Sequence, residues 1–341
     1  MRKLIALVMT LALILTAACA VAEGKLVVYT PNPDAEIQYI LNTFAEKYDV
    51  EIEMLSMGTG ECYTRLSAEK DAPIADVMFG GVETTWTHDY PDLFQTYVAN
   101  GNDKLPAEYQ NPDGLITYYI LGGSCVMIVN EELEAELGTK ITCYNDLLNP
   151  ELKGMIASAD PNASSSSFAH LSNLLLAMGD GENPYESEAA WDFVAKLIDQ
   201  LDGSLTSGSS AVYKGVANGE YTVGLSYEVG VAGFIANGAQ GVRAVYPTEG
   251  VCWTPVGSAI VNGAKNLDNA KLFMDWLISD ECQTIMATAE GSVLRGVRTD
   301  LFVPTEYMPS FDGLNLKQED SEYTSSNKQT ILDSWNALWN K

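Results

Sequence analysis

Near the start of the chain, the sequence Lys25-Leu26-Val27-Val28-Tyr29-Thr30 predicts a buried β-strand. A helical pattern follows, with apolar residues spaced for one face at Ile37, Ile40, Leu41 and Phe44. Two more strand-like segments, Val50 to Met54 and Ile74 to Phe79, enclose a second helix through Leu66. Strands that alternate with helices in this way predict an α/β fold with a parallel sheet and helices on both faces.

Ligands of such sheets gather at the carboxyl ends of the strands. In this chain those ends carry Thr30 and Asn32, Gly58-Thr59-Gly60, and Gly81, which we take as candidate ligand-binding residues. Gly58-x-Gly60 lacks the third glycine of a dinucleotide loop and follows the second strand. We therefore expect no nucleotide cofactor, and no cofactor of another kind.

The organisation predicts two domains, or lobes, with the chain crossing from the first to the second and back. The apolar, glycine-punctuated stretch from Leu115 to Asn130 indicates the crossing into a second lobe, and Tyr246-Pro247-Thr248-Glu249-Gly250 indicates the return. The first lobe is predicted to hold residues 23–122 and about 256–285, and the second about 123–255. Helices within about 286–341 are predicted to pack on the lobes.

Four consecutive serines, Ser164, Ser165, Ser166 and Ser167, lie between a short apolar segment and a helical pattern. The first N–H groups of a helix lack intrahelical partners, and the helix dipole is positive at that end. Together with seryl hydroxyls these donors favour an anion. A simpler interpretation is that one serine is the N-cap and the others form a polar loop.

A second serine-rich helix start occurs at Thr206-Ser207-Gly208-Ser209-Ser210, before another short helical pattern. Two such starts in one region suggest a cleft that holds a small oxyanion such as phosphate, phosphonate or carboxylate. We therefore add Ser207, Ser209 and Ser210 to the candidate ligand-binding residues.

Residues 1–22 have the features of an export signal. Arg2 and Lys3 precede a short apolar run, and Ala20-Val21-Ala22 fits a cleavage site. Thr16-Ala17-Ala18-Cys19 also resembles the box before a lipid-modified cysteine, so Cys19 is an alternative anchor. Both interpretations place the protein outside the cytoplasm, in the periplasm or on the outer face of the cytoplasmic membrane.

Composition describes a globular, acidic protein, with 47% hydrophobic and 19% charged residues. Without residues 1–22 the chain keeps 17 basic against 46 acidic residues, a net charge of −29. No basic face is available to neutralise phosphates, so a nucleic-acid partner is not expected. Five of the six cysteines lie outside residues 1–22, and without a C-x-x-C their odd number fixes no disulfide pairing: Cys62, Cys125, Cys143, Cys252 and Cys282.

Six short motifs are each of low specificity alone, but their order along the chain resembles that in the extracellular solute-binding proteins of ABC importers. They are Val28-Tyr29-Thr30, Ala75-Asp76-Val77, Leu152-Lys153-Gly154, Val216-Ala217-Asn218-Gly219-Glu220-Tyr221, Pro247-Thr248-Glu249-Gly250 and the ten residues from Ala270 to Ser279. The resemblance is to the branch that takes ferric iron, thiamine, 2-aminoethylphosphonate and hexose phosphates. It implies two α/β lobes, each a mainly parallel sheet flanked by helices, which are joined by crossing strands and close on a solute. It also implies that the protein acts as a monomer and delivers the solute to membrane permease subunits.

The iron-binding members of that branch hold the metal with a histidine, a glutamate and two adjacent tyrosines. The corresponding positions here give Thr30-Pro31-Asn32 without histidine, Gly80-Gly81 with Glu83 nearby, and the pair Tyr227-Glu228. This set suits a hard cation poorly, so we expect no metal site. His88 and His170 are assigned surface or packing roles.

The resemblance also implies that the serine loops hold an anion, which here would belong to an organic phosphate or phosphonate. Tyr227 and Glu228 are expected to face the cleft, with Glu228 receiving an ammonium or hydroxyl group at the other end of the ligand. Ferric iron with a companion anion, or thiamine, is the alternative ligand. An exported enzyme is the remaining alternative, but the chain offers no nucleophile elbow and no His-Glu-x-x-His.

Overall fold

The computed structural model describes residues 24–32, 34–82, 87, 90–123, 125–288 and 293–341. The predicted export signal with Cys19 lies outside the described residues, as do Glu83 and His88. Within the described part, the chain forms two β-sheets and eleven α-helices, which confirms the predicted α/β class. We call the part built on each sheet the first and the second lobe.

The first sheet has six strands in the spatial order β2-β1-β3-β10-β4, with β5 also paired to β10. Their bounds are Gly24–Thr30 (β1), Val50–Ser56 (β2), Val77–Val82 (β3), Phe94–Gln95 (β4), Thr117–Gly122 (β5) and Thr254–Val261 (β10). β1 runs parallel to β2 and β3. β10 runs antiparallel to β3, β4 and β5.

The second sheet has four strands in the spatial order β7-β8-β6-β9. Their bounds are Val126–Asn130 (β6), Ile156–Ala157 (β7), Val223–Ser226 (β8) and Val242–Val245 (β9). Only β7 and β8 are parallel, because β6 runs antiparallel to both β8 and β9.

The prediction that each sheet is mainly parallel therefore holds only for β1, β2 and β3 in the first sheet and for the pair β7 and β8 in the second. The antiparallel pairs involve the two strands that arrive from the other lobe, β6 and β10. An arriving strand begins at the edge where the chain crosses between lobes, whereas β1, β3 and β8 end at that edge. The crossings thus reverse the direction of one central strand in each sheet.

The eleven α-helices of the described residues pack around these sheets. They are Asp34–Tyr48 (α1), Thr59–Glu69 (α2), Glu131–Leu137 (α3), Ser165–Met178 (α4), Glu188–Leu201 (α5), Ser209–Ala217 (α6), Glu228–Ala236 (α7), Leu267–Leu277 (α8), Asp280–Thr288 (α9), Ser321–Ser326 (α10) and Lys328–Trp339 (α11). Short 3-10 turns occupy Asn102–Lys104, Ala107–Tyr109, Asn145–Leu148, Pro150–Leu152, Pro184–Glu186 and Thr299–Leu301.

Both faces of each sheet are buried. In β1, Leu26 and Val28 join one apolar cluster, whereas Val27 and Tyr29 join another on the opposite face. Alternate residues of β6 are divided between two clusters in the same way. Successive side chains of a strand point to opposite faces, so helices must cover both, as the alternating sequence pattern predicted.

The C-terminal region contributes to both lobes. Val297 and Met308 are buried in the core of the first lobe, and Ile331 and Trp335 in the core of the second. Among the described residues, none of the helices combines the length and the apolar character needed to cross a membrane.

Candidate functional site

The residues that follow β1, β2 and β3 meet at one edge of the first sheet. Thr30 Oγ1 donates to the carbonyl oxygen of Phe79 at 2.6 Å, and its own carbonyl oxygen accepts from Met57 N at 3.0 Å. The side-chain amide of Asn32 donates to Phe79 O and lies 3.0 Å from Tyr119 OH. Hydrogen bonds therefore join the end of β1, the strand β3 and the segment after β2 at this edge, and the predicted residues Thr30 and Asn32 take part in them.

Neighbouring side chains pack directly against the backbone of Gly80 and Gly81 at this edge. The φ values of these glycines are +87° and +70°. A Cβ on Gly81 would lie 2.8 Å from Pro31 Cγ and 3.2 Å from the side chain of Thr59. The strand predicted at Ile74 to Phe79 is Val77–Val82 in the structure, so it begins three residues later than predicted and extends through both glycines. The absence of side chains lets Pro31 and Thr59 pack on the end of β3.

The sequence places Gly58-Thr59-Gly60 in a loop, but α2 begins at Thr59, so of these three residues only Gly58 precedes the helix. Gly58 is the N-cap, and no side chain caps this helix. The first N–H groups of α2 therefore lie beside Pro31 and Gly81, at the same edge.

In the second lobe, the two serine-rich loops lie side by side. Ala159 and Thr206 form a parallel β-bridge, and Thr206 N donates to Ser158 O at 2.8 Å. Ser167 Oγ also donates to Ala159 O at 2.5 Å. These contacts join the start of α4 to the segment that leads into α6, so the structure brings together the two helix starts that the sequence singled out.

The four serines at the start of α4 have different roles. Ser164 is the N-cap and accepts from Ser167 N at 3.3 Å, as the simpler interpretation expected of one serine. Ser166 Oγ lies 3.2 Å from Ser164 Oγ. Ser165 is exposed, and its hydroxyl makes no side-chain hydrogen bond with the described residues. Ser165 is thus the serine of this loop most available to a ligand.

At the start of α6 the N-cap is Gly208, and no side chain caps the helix. Thr206 Oγ1 lies 3.1 Å from Gly208 O and 3.3 Å from Ser158 O, which holds the loop closed on the end of β7. Ser207 and Ser210 are exposed and Ser209 is half-buried. The hydroxyls of these three serines are not used to cap α6.

Glu228 begins α7, directly after Tyr227 at the end of β8. The glutamate is fully buried, and Arg295 binds both of its oxygens, through Nη2 at 2.6 Å and Nε at 3.1 Å. Trp253 Nε1 donates to the same carboxylate at 2.9 Å. The expectation that Glu228 faces the cleft as a free partner for a ligand ammonium is therefore wrong, because its charge and acceptors are already taken within the protein.

Tyr246 completes this buried group, with its hydroxyl 2.8 Å from Glu228 Oε1 and 2.9 Å from Tyr307 O. Burial, and then the nearby Glu228 carboxylate, raise the pKa of Tyr246 far above its ordinary value, so the phenol stays neutral. Tyr227 is half-buried and packs near Tyr213, with 6.3 Å between ring centroids.

The sequence reasoning missed Arg295. Its signal was an arginine next to the apolar residues Val293 and Leu294, in a chain with few basic residues. A charge in such a segment is buried only when it is paired. The glutamate that pairs with it lies 67 positions away, so the sequence does not identify the partner.

His170 has the packing role that the sequence suggested. It is 2% exposed, with Nδ1 2.9 Å from Ser226 O and Nε2 3.1 Å from Tyr144 OH. Burial lowers the pKa of His170 to about 4. Among the described residues, no group of three or more His, Cys, Asp or Glu side chains is placed to hold a metal ion. The five cysteines of the described chain are free thiols.

Comparison with known proteins agrees with this architecture. The family described as bacterial extracellular solute-binding protein matches residues 40–302. The chain is 30% identical to an uncharacterised protein of Haemophilus influenzae over 92% of this chain and 90% of that one. It is 27% identical to the probable ABC transporter periplasmic-binding protein y4fP of Sinorhizobium fredii, over 83% of this chain and 78% of that one.

Among solved structures, the chain is similar to the periplasmic binding protein AfuA of Actinobacillus pleuropneumoniae with exogenous fructose 6-phosphate bound. The TM-score is 0.75 at 26% identity, covering 94% of this chain and 99% of that one. The matched family and these relatives extend over both lobes. The chain therefore belongs to the bacterial extracellular solute-binding proteins, as the periplasmic solute-binding component of an ABC transporter.

Proposed function

We propose that this protein captures a small organic phosphate, with sugar phosphates as the leading class, between its two lobes. The observation that carries the proposal is the pair of serine-rich helix starts, α4 and α6, joined by the bridge between Ala159 and Thr206. The proposed ligand contacts are the first-lobe residues Thr30, Asn32, Gly58, Thr59, Gly60 and Gly81 and the second-lobe residues Ser164, Ser165, Ser166, Ser167, Ser207, Ser209, Ser210 and Tyr227.

Electrostatics supports an anion at this place despite the acidic chain. The N-termini of α2 and α6 have no side-chain cap, so their first N–H groups can donate to a ligand. The dipole of each helix adds positive potential at the same end. The exposed Ser165 adds a hydroxyl donor. A phosphate group accepts several hydrogen bonds at once and matches such a set of donors.

The pairing of Glu228 within the protein limits which chemical group we expect at the other end of the ligand. Its pairing with Arg295 removes the only carboxylate that we had assigned to a ligand ammonium. A zwitterion such as 2-aminoethylphosphonate therefore loses its predicted counter-charge, whereas a sugar hydroxyl needs none. The likeness to AfuA, whose structure has fructose 6-phosphate bound, supports the same class.

Ferric iron has less support from the residues. No His, Cys, Asp or Glu group of three in the described chain is placed to hold a metal, and Tyr227 offers only one phenol at the end of β8. We keep iron and thiamine as outcomes of the ligand test. The matched family and relatives are binding proteins, so we propose capture without turnover.

A ligand panel measured by thermal shift and calorimetry tests the proposal, with fructose 6-phosphate, 2-aminoethylphosphonate, inorganic phosphate, thiamine and ferric ion. We expect fructose 6-phosphate to raise the melting temperature and to be recovered unchanged. Ligand at one hundred times its dissociation constant adds about 2.7 kcal/mol to the free energy of unfolding. Stabilisation by ferric ion or thiamine alone, with no response to any organic phosphate, would contradict the proposal.

A further inference from the structure

The ion pair of Glu228 and Arg295 is buried completely, with side-chain exposures of 0% and 1%. Three aromatic rings surround the guanidinium, whose Cζ lies 5.1 Å from the ring centroid of Trp253, 4.2 Å from that of Phe302 and 4.5 Å from that of Phe311. Arg295 Nη2 also donates to Pro309 O at 2.9 Å. Each charge is thus held by several partners and is shielded from water.

The two partners belong to different lobes. Glu228 begins α7, immediately after β8 of the second sheet. The backbone around Arg295 is bonded to β5 of the first sheet, since Leu121 N donates to Arg295 O at 2.7 Å and Val297 N to Tyr119 O at 3.2 Å. The ion pair therefore joins the lobes directly.

Each of the chain passages between the lobes that the structure describes contacts this pair. In the first passage, from β5 to β6, Gly123 O accepts from Glu228 N at 2.7 Å. In the second, from β9 to β10, Tyr246 and Trp253 bond the carboxylate. The third leaves the core of the first lobe after Met308, and it contacts Arg295 through Pro309 and Phe311.

Removing one partner of a buried ion pair leaves an uncompensated charge in the interior, which is strongly unfavourable. A motion that separated Glu228 from Arg295 would do the same. Lobe movement that keeps the pair intact must turn about the point where the passages converge, as hinge motions turn about a few residues between domains.

We propose that Arg295 is a positioning residue for solute binding. It acts through Glu228, and the pair is the fixed pivot about which the lobes close. The chemistry of the ligand does not enter this argument, since it rests on the solute-binding function of the family and on the contacts of the pair.

The test measures the distance between the lobes in the ligand-free protein. Spin labels at Glu46→Cys on α1 and Lys196→Cys on α5 report it by pulsed dipolar EPR, because both positions are exposed and lie in different lobes. Cys143→Ser removes the half-buried native thiol, and the other four cysteines of the described residues are buried. The variants are Arg295→Lys, which keeps the charge but loses the planar fork, and the double variant Glu228→Gln with Arg295→Met, which leaves no unpaired charge.

Leu294→Ala is the control, because it removes a buried side chain next to Arg295 without touching the pair. We expect a narrow distance distribution in the parent protein and in the control, and a broadened one in Arg295→Lys and the double variant, even where the double variant regains the melting temperature. A narrow distance distribution in the double variant, or an equally broad one in Leu294→Ala, would contradict the proposal that the pair is the pivot. Titration with fructose 6-phosphate is a separate measurement. If the parent protein does not bind this ligand, the proposed ligand is wrong, whereas the distance result still holds.

Discussion

At the scale of single residues, two glycines of the candidate site differ in the room that the structure leaves for a side chain. Gly81 has φ near +70°, with Pro31 and Thr59 where a side chain would stand. Gly58 has φ near −62°, and open space surrounds the position of its Cβ. The two residues lie at the same edge of the sheet but tolerate a methyl group very differently.

We therefore expect Gly81→Ala to lower the free energy of unfolding by about 1–2 kcal/mol from the left-handed backbone alone, with a further loss from the displaced Pro31. Solute affinity should fall as well, since Thr59 moves with the contact. Gly58→Ala is the matched control and should stay close to the parent protein in urea unfolding. Equal stabilities for the two variants would show that the β3 edge is not packed as described.

His170 gives a prediction about pH. The carbonyl oxygen of Ser226 can only accept, so Nδ1 carries a proton, and burial keeps the ring neutral, so Nε2 accepts from Tyr144. The pKa of His170 is about 4 in the folded protein, against about 6.5 in an unfolded chain. Between these values the unfolded state binds the extra proton, so stability is present above pH 6.5 and is lost as the pH falls toward 4.

This one group should reduce the free energy of unfolding by on the order of 3 kcal/mol across that window. His170→Asn should flatten the dependence, because the carboxylates common to both proteins titrate alike in each. Urea titrations at several pH values compare the two slopes. Identical slopes would mean that His170 does not stay neutral in the folded protein.

At the scale of elements, the start of α4 separates a structural serine from one that is available to a ligand. Ser164 caps the helix, whereas Ser165 is exposed, and the half-buried Ser209 does not cap α6. Both loops are held in place by backbone contacts between Ser158, Ala159 and Thr206, which do not depend on the hydroxyls of Ser165 and Ser209.

Ser164→Ala should therefore lower the free energy of unfolding by about 1 kcal/mol, as the loss of an N-cap does. Ser165→Ala combined with Ser209→Ala should leave stability nearly unchanged and weaken binding, with each lost bond to a charged oxygen costing about 1.5–3 kcal/mol of affinity. Calorimetry with fructose 6-phosphate and thermal melts of both variants measure the two effects. If the double variant binds as tightly as the parent protein, the serines are not ligand contacts.

The sequence predicted most elements but not how the chain turns between them. Local patterns located β1, α4 and α6, because periodicity and polar helix starts are properties of neighbouring residues. The antiparallel direction of β6 and β10 depends on where the chain crosses between lobes, which no local pattern records. The partner of Glu228 is 67 positions distant, so the sequence could not show that its carboxylate is buried in an ion pair.

At the scale of the whole molecule, charge opposes the proposed ligand. A net charge of −29 without residues 1–22 repels an anion at long range, while the helix starts attract it only at short range. The Debye length shortens from about 30 Å at 0.01 M salt to about 8 Å at 0.15 M. Salt therefore screens the distant repulsion more than the local attraction.

We expect the association rate constant of fructose 6-phosphate to rise with added salt over this range, and the dissociation rate constant to change less. Stopped-flow tryptophan fluorescence measures both. A rate of association that falls with salt would indicate an attractive path into the site, contrary to this charge distribution.

The position of β10 in the first sheet also governs how the molecule is assembled. The strands of the second sheet lie together between residues 126 and 245, whereas β3, β4 and β5 of the first sheet all pair with β10, at residues 254–261. A chain that emerges from a translocation channel with its N-terminus first can close the second sheet while the first is still incomplete. On that route the lobe that leaves the channel first is the last to be completed, and until β10 arrives the edge of β3 exposes unpaired N–H and C=O groups, which favour aggregation.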